Sequence, residues 1–244
     1  MSVKYAWKDQ DQYDRLERGL TKYLHRARVR FISDVLDRIA HAAKGRKVRL
    51  LDLGCGDGVL TRYFMADDRF EVTGVDSDAH RLEKAKRLAA GHKAVFINSD
   101  VSDISLRAAK ADVVLFHHVL EHVDDDRMVL NNINYILRDG GYLILGVPNE
   151  DSLLGRISRA LHKKLYEKGE HVNFYSEKSL RTMLTDAGFE IERVGRIGFL
   201  FPVYYMHMLL IANPATFAIG NLLTKFLKFT ADSLIIVTRV QKRG

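Results

Sequence analysis

"LLDLGCGDGVL", residues 50–60, sets an apolar run beside an aspartate and then places glycine at every second position. The apolar run reads as a buried strand. Gly54, Gly56 and Gly58 then form a turn in which the backbone bends sharply and comes close to a ligand. Many nucleotide-binding loops share this mechanism, so the cofactor has to be chosen from what surrounds the turn.

Working outward, short β-rich runs alternate with helical stretches. "FEVTGVD" is followed by a helix through "DAHRLEKAKRLAA", and "AVFINSD" and "ADVVLFHHV" by a helix through "DDRMVLNNINYIL" and then "GYLILGVPN". A further helix is expected from about Leu60. Such alternation predicts βαβ units and a mostly parallel sheet covered by helices on both faces. Upstream, from Tyr13 to Ala43, apolar residues including Leu16, Leu20, Leu24, Phe31, Val35 and Ile39 recur at helical spacing, which predicts one or two amphipathic helices. Downstream, "SEKSLRTMLTDAGF" begins with a serine cap, "FEIERVG" reads as a strand and "SLIIVTRVQ" as the last one.

The 244 residues are 47% hydrophobic and 28% charged with only 3 prolines, which supports one folded domain and excludes collagen-like or low-complexity chains. Within it we expect an N-terminal helical extension (1–45), a cofactor-binding core (46–150), a basic lid segment (151–172) and an apolar insertion (197–230). A formal charge of +7 favours anionic partners. The lone Cys55 cannot form an intrachain disulfide, and "MSVKYAWKDQDQ" is too polar for a secretory core, so the expected location is a reducing cytoplasm.

In an open parallel sheet, ligands collect at the carboxyl ends of the strands, where this chain places the glycine turn, Asp76 and Asp100. The spacing G-x-G-x-G ends one residue early for a dinucleotide fingerprint. No tyrosine is followed four residues later by lysine, and there is no G-x-x-x-x-G-K. An acid at the end of the second strand can accept both ribose hydroxyls of an adenosine, and Asp100 can accept an adenine amino group.

With "LLDLGCGDG", "VTGVDSD", "NSDVSD", "ADVVLFHHVLEHV" and "LRDGGYLILGVPN" in this order, residues 48–149 resemble the class I S-adenosylmethionine-dependent methyltransferases, in the branch acting on small molecules and lipids at oxygen. "HVNFYSEKSLRTMLTDAGFEIERVG" extends the resemblance to about residue 195. It implies an α/β, Rossmann-like, doubly wound seven-stranded sheet whose last strand runs antiparallel between its neighbours. S-adenosylmethionine would be the cofactor and S-adenosylhomocysteine the product. Carried onto this chain, Gly54, Gly56 and Gly58 approach the methionine part, whose ammonium Asp52 or nearby backbone holds. Asp76, with Ser77 beside it, takes the ribose, Asp100 and the Val101 amide take the adenine, and the segment from Phe116 through His117 to His118 lines the methionine end.

A carbon or nitrogen acceptor needs little from the protein beyond alignment, whereas an alcohol needs a base, and histidine, with an unperturbed pKa near ~6.5, suits that role. "HHVLEHV" and "EHVNFYS" therefore supply the candidates His118, His122 and His171, the last two foremost. His118 and His122, four apart, are expected to share a helical face with Glu121 between them. His118, Glu121, His122 and His171 could alternatively converge on a divalent cation; similar E-x-x-E-H strings with a later histidine occur in the small-RNA 3′-end 2′-O-methyltransferases and in ubiquinone-pathway O-methyltransferases. Here a histidine replaces the first acid, so metal is the minority reading.

Ile197 to Thr224 carries no Asp, Glu, Lys or Arg. If it crossed a bilayer, the final strand could not rejoin the sheet, so it is expected to form two apolar helical segments, serving as a cleft cover, a membrane-interface element or a contact with a second copy. In "LLGRISRALHKKLYEK", Leu154, Ile157, Leu161 and Leu165 are expected on one side and Arg156, Arg159, Lys163 and Lys164 on another. These features favour an amphipathic acceptor such as a quinone precursor, a lipid or a lipid-linked sugar, with the chain peripheral on the inner face of the membrane. An RNA 2′-O-methyltransferase and a non-catalytic cofactor-binding subunit are the alternatives. Nucleic acid is disfavoured as a partner.

Overall fold

In the computed structural model, which describes residues 12, 14–103, 110–163 and 171–240, seven strands form one sheet. In chain order they are β1 (Val48–Leu53), β2 (Phe70–Asp76), β3 (Ala94–Asn98), β4 (Ala111–His117), β5 (Leu137–Pro148), β6 (Phe189–Ile197) and β7 (Ser233–Val240). Across the sheet the order is β3-β2-β1-β4-β5-β7-β6. β1 to β5 pair in parallel, and β7 slots antiparallel between β5 and β6. The sheet is thus the one the strand pattern and the resemblance predict.

The central strands carry apolar residues on both faces because helices cover both. Every residue of β4 except His117 is buried. One core holds Leu130 and Ile133 of α4 (Asp126–Ile136) together with Leu180 and Leu184 of α6 (Glu177–Asp186). The other, on the opposite face, holds Ile32, Val35 and Leu36 of α1 (Lys22–Ala42) with Phe64 and Met65 of α2 (Arg62–Met65). Each fully buried aliphatic side chain contributes about 1.5–3 kcal/mol. Asp78 caps α3 (Ala79–Leu88), Asp125 caps α4, and Ser176 and Ser179 form a reciprocal capping box on α6, so the sequence marks these helix starts locally.

The helix expected from Leu60 is a single turn. The basic segment forms α5 (Leu153–Leu161), whose exposed apolar stripe is Leu153, Ile157 and Leu161, while Leu154 is half-buried. Arg156 and Arg159 both pair with Asp151, so they are not an open basic face. Lys164 and Leu165 lie outside the described residues. The uncharged stretch folds into α7 (Tyr204–Ala212) and α8 (Pro214–Leu223), bent by 107° at Asn213, whose side chain accepts from the amides of Ala215 and Thr216.

Candidate active site

Strand order reverses between β1 and β4, and a reversal leaves a crevice at the strands' carboxyl ends. A cavity of about 1350 Å³ opens there. Single small ligands occupy roughly 300–1000 Å³, so there is room for two molecules side by side.

One half of the cavity displays Asp52, Gly54, Cys55, Asp76, Ser77, Asp100 and Val101. Gly54 and Gly56 have φ of 72° and 57°, a region that costs an L side chain about 1–2 kcal/mol. This conformation lets the Gly56 amide donate to Asp76 Oδ2 at 2.8 Å while Asp78 donates to Oδ1, so the strand-end acid is fixed in place. Gly56 and Gly58 do not line the cavity. Behind Gly58, Ala85 of α3 is so close that a Cβ would lie 3.0 Å from its methyl. Of the three glycines expected at the ligand, Gly54 lines the cavity, while the other two shape the turn and seat α3.

Asp52 is buried and accepts from the Thr61 hydroxyl at 2.6 Å. Burial, aided by the charge of Asp76, pushes its carboxyl up to about 7 despite that hydrogen bond. Asp100 accepts from the amide and hydroxyl of Ser102 at the exposed rim. Burial drives the Cys55 thiol far above its ordinary value, leaving it an inert wall. Gln12, Arg15 and Leu16 lie over this half, and the Gln12 side chain accepts from Arg81, which also donates to the buried Asp57. No motif marked this N-terminal cover, because its contacts join residues about 45 to 70 positions apart.

The other half is built at the ends of β4 and β5. His117, opposite Gly146 in the sheet, fits where a side chain would clash: a Cβ on Gly146 would come within 2.3 Å of its ring. His118 has φ of 56°, and its ring stands 4.5 Å from that of His117. The chain therefore kinks before the 3-10 turn Leu120–His122. Here the sequence expectation is corrected: His118 and His122 do not share a helical face. His118 Nδ1 meets Glu121 Oε1 at 2.9 Å, while the His122 ring faces that of His171, 4.9 Å away.

Burial lowers the pKa of both His117 and His118 well below the ordinary histidine range, so both are neutral at working pH and His118 is a weak base. It also raises that of Glu121, which is 1% exposed. His171 comes to this place because the amides of Val172 and Asn173 both donate to the Glu121 carbonyl and Asn173 Nδ2 donates to that of Val123. Its Nδ1 lies 2.7 Å from Glu150 Oε2, a partner that sequence reading missed because Glu150 falls just past "GYLILGVPN" and 21 positions from His171. One ligand atom each from Glu121, His122 and His171 lies within 4.8 Å of the others, so the donor set for a divalent cation converges in part, with His118 turned to Glu121.

Below these groups, Arg28 of α1 and His207 of α7 both reach Asp232 at the start of β7, at 3.1 and 3.2 Å. Burial opposes ionisation of Asp232, but the hydrogen bond from His207 and the charge of Arg28 pull its carboxyl below the ordinary value. Leu24, Phe201, Tyr204, Met208 and Ile211 supply an apolar wall. This half thus sets an imidazole in contact with a carboxylate beside an apolar wall.

A model of the family described as "Methyltransferase domain" matches residues 23–194. The chain is 32% identical over 164 residues to a ubiquinone biosynthesis O-methyltransferase of Erwinia tasmaniensis, covering 60% of this chain and 67% of that protein. It is 37% identical over 125 residues to the tRNA 5-carboxymethoxyuridine methyltransferase of Escherichia coli K12, covering 49% and 47%. The chain thus spans between about half and two thirds of the length of these relatives. The crystal structure of magnesium protoporphyrin IX methyltransferase from Synechocystis PCC 6803 with bound SAH superposes with a TM-score of 0.62 at 18% identity, over 90% of this chain and 86% of that one.

Proposed function

The chain belongs to the class I S-adenosylmethionine-dependent methyltransferases, and from that premise we propose that it methylates a hydroxyl oxygen of a small amphipathic acceptor with His171 as general base. The observation that carries this reading is the Glu150–His171 pair set beside an apolar wall in a cavity large enough for cofactor and acceptor together.

When bound, S-adenosylmethionine supplies an electrophilic methyl carbon attached to a positively charged sulfur, and the residues of the first half fit it. The fixed Asp76 carboxylate has lone pairs left and would take two ribose hydroxyls, Asp100 and the Val101 amide would hold the adenine, and Asp52 would offer a carboxylate to the ammonium. In the second half, Glu150 accepts from His171 Nδ1–H, so in this reading it is Nε2 that carries the lone pair and serves as the basic atom towards an acceptor hydroxyl. His171 takes the hydroxyl proton as the oxygen attacks, and the Glu150 carboxylate stabilises the imidazolium that results. The apolar wall holds the acceptor's body and excludes water from the line of transfer.

The relative acting on tRNA makes RNA the competing acceptor class, and a non-catalytic subunit the third. One experiment separates them: incubation with radioactive methyl donor and, in turn, total lipid, small-molecule and RNA fractions. Label in an alkali-stable ether of a lipid or small molecule supports the proposal. Label confined to RNA overturns the acceptor class, and label in none of the fractions until a partner protein is added overturns the assignment as an enzyme on its own.

A further inference from the structure

We infer that the face formed by α5, α7, α8 and the turn after α8 docks the protein onto an anionic lipid bilayer. Large apolar side chains stand in solvent across it, among them Leu161, Tyr205, Leu209, Ile219, Leu222 and Phe226, with Tyr205 and Phe226 76% and 77% exposed. These segments adjoin one another. The Tyr204 amide donates to His162 Nε2 just after α5, and the Leu200 amide to the Thr230 carbonyl. A monomer in water seldom leaves so much apolar surface uncovered without a partner for it.

Charge selects the occupant. From Arg193 to Ala231 the chain has no Asp or Glu, and Lys225 and Lys228, both exposed and forming no ion pair among the described residues, flank Phe226 and Leu227. A second copy of the chain, meeting this face about a two-fold axis, would bring lysines against lysines with no acid from this stretch between them. A bilayer bearing anionic headgroups accepts the lysines at its surface and the aromatic and aliphatic side chains at the headgroup–acyl boundary.

The geometry is that of an element lying in the interface. α7 and α8 have 9 and 10 residues, about 15 Å each, half of the roughly 30 Å hydrocarbon core, and the 107° bend prevents them from acting as one span. Asn213 and Pro214 build that bend into the sequence, and β7 then returns to the middle of the sheet. α7 also joins this face to the cavity: Tyr204, Met208 and Ile211 line the cavity while Tyr205 and Leu209 face outward. A bilayer-dissolved acceptor would reach the site past one helix. The docking itself is independent of which atom is methylated.

The test is flotation of the full chain with phosphatidylglycerol vesicles and with phosphatidylcholine vesicles, alongside Leu222→Glu/Phe226→Glu and Lys225→Glu/Lys228→Glu variants. Circular dichroism and S-adenosylhomocysteine binding verify that each variant is folded. The wild type is expected to float at least tenfold more with the anionic vesicles. The lysine variant should lose that preference, and the apolar variant should lose flotation while keeping cofactor affinity. Flotation of the apolar variant equal to wild type overturns the inference, as does absence of wild-type binding to either vesicle. A lipid-free dimer in analytical ultracentrifugation that the apolar variant dissociates would assign the face to a second copy instead.

Discussion

His171 Nδ1 and Glu150 Oε2 lie 2.7 Å apart although the residues belong to opposite ends of the segment that contains α5. A carboxylate only accepts, so the contact holds a proton on Nδ1 and makes Glu150 a positioning residue for the proposed base.

Replacing His171 with alanine should lower kcat by about 10²–10⁴, the usual contribution of a general base, with little change in S-adenosylhomocysteine affinity. Glu150→Gln should cost less, on the order of tenfold, and should shift the pH profile of kcat because the imidazolium loses its counter-charge. Full activity of His171→Ala together with loss in His122→Ala would transfer the role to His122. Loss of activity on chelation, restored by a divalent transition metal, would recast Glu121, His122 and His171 as ligands.

Asp76→Ala should weaken cofactor binding by about 10²-fold or more in calorimetry. Each hydrogen bond from a ribose hydroxyl to a carboxylate is worth roughly 1.5–3 kcal/mol, and the Gly56 and Asp78 amides lose their acceptor as well. Affinity within twofold of wild type would remove Asp76 from the cofactor site.

The sheet was legible in the sequence because each strand is a short apolar run bounded by turns, as "ADVVLFHHV" becoming β4 shows. The strand-end acids followed from the same logic, since position at a carboxyl end fixes what an acid can reach. What escaped was side-chain direction. Spacing alone put His118 and His122 on one face, but the left-handed backbone at His118 turns them apart. Glu150 and Gln12 escaped because their partners lie 21 and 69 residues away, and no local pattern encodes such contacts.

Asp112 anchors the opposite end of the sheet. Its carboxylate, 2% exposed, accepts from both Arg46 Nη1 and Nη2, from Arg138 Nε and from the Arg49 amide. Asp112→Ala leaves that amide and two guanidinium groups without their acceptor and should destabilise the fold by about 2–3 kcal/mol. For a chain of this size that is a fall of roughly 5–10 °C in Tm. S-adenosylhomocysteine affinity should not change, and a Tm within 1 °C of wild type would show the cluster to be energetically idle.

Asp52 makes cofactor binding depend on pH. Its carboxyl is raised to about 7 by burial and by Asp76, whereas in the unfolded chain it would titrate near ~3.9. Between these values the folded protein holds a proton that the unfolded chain has lost, so Asp52 contributes its stability fully below the lower value and loses it as pH rises towards 7. A ligand ammonium beside Asp52 favours the carboxylate, so binding releases a proton below pH 7. Affinity for S-adenosylhomocysteine should therefore rise by up to about tenfold per pH unit from pH 5.5 to 7 and level off above. Calorimetry at pH 6 in two buffers of different ionisation enthalpy should show that proton release. Asp52→Asn should abolish both the release and the slope while leaving the Asp76 contacts intact. A flat affinity across this range in the wild type, with no proton released, would mean that the ammonium is held by backbone carbonyls and that Asp52 serves the turn through Thr61 alone.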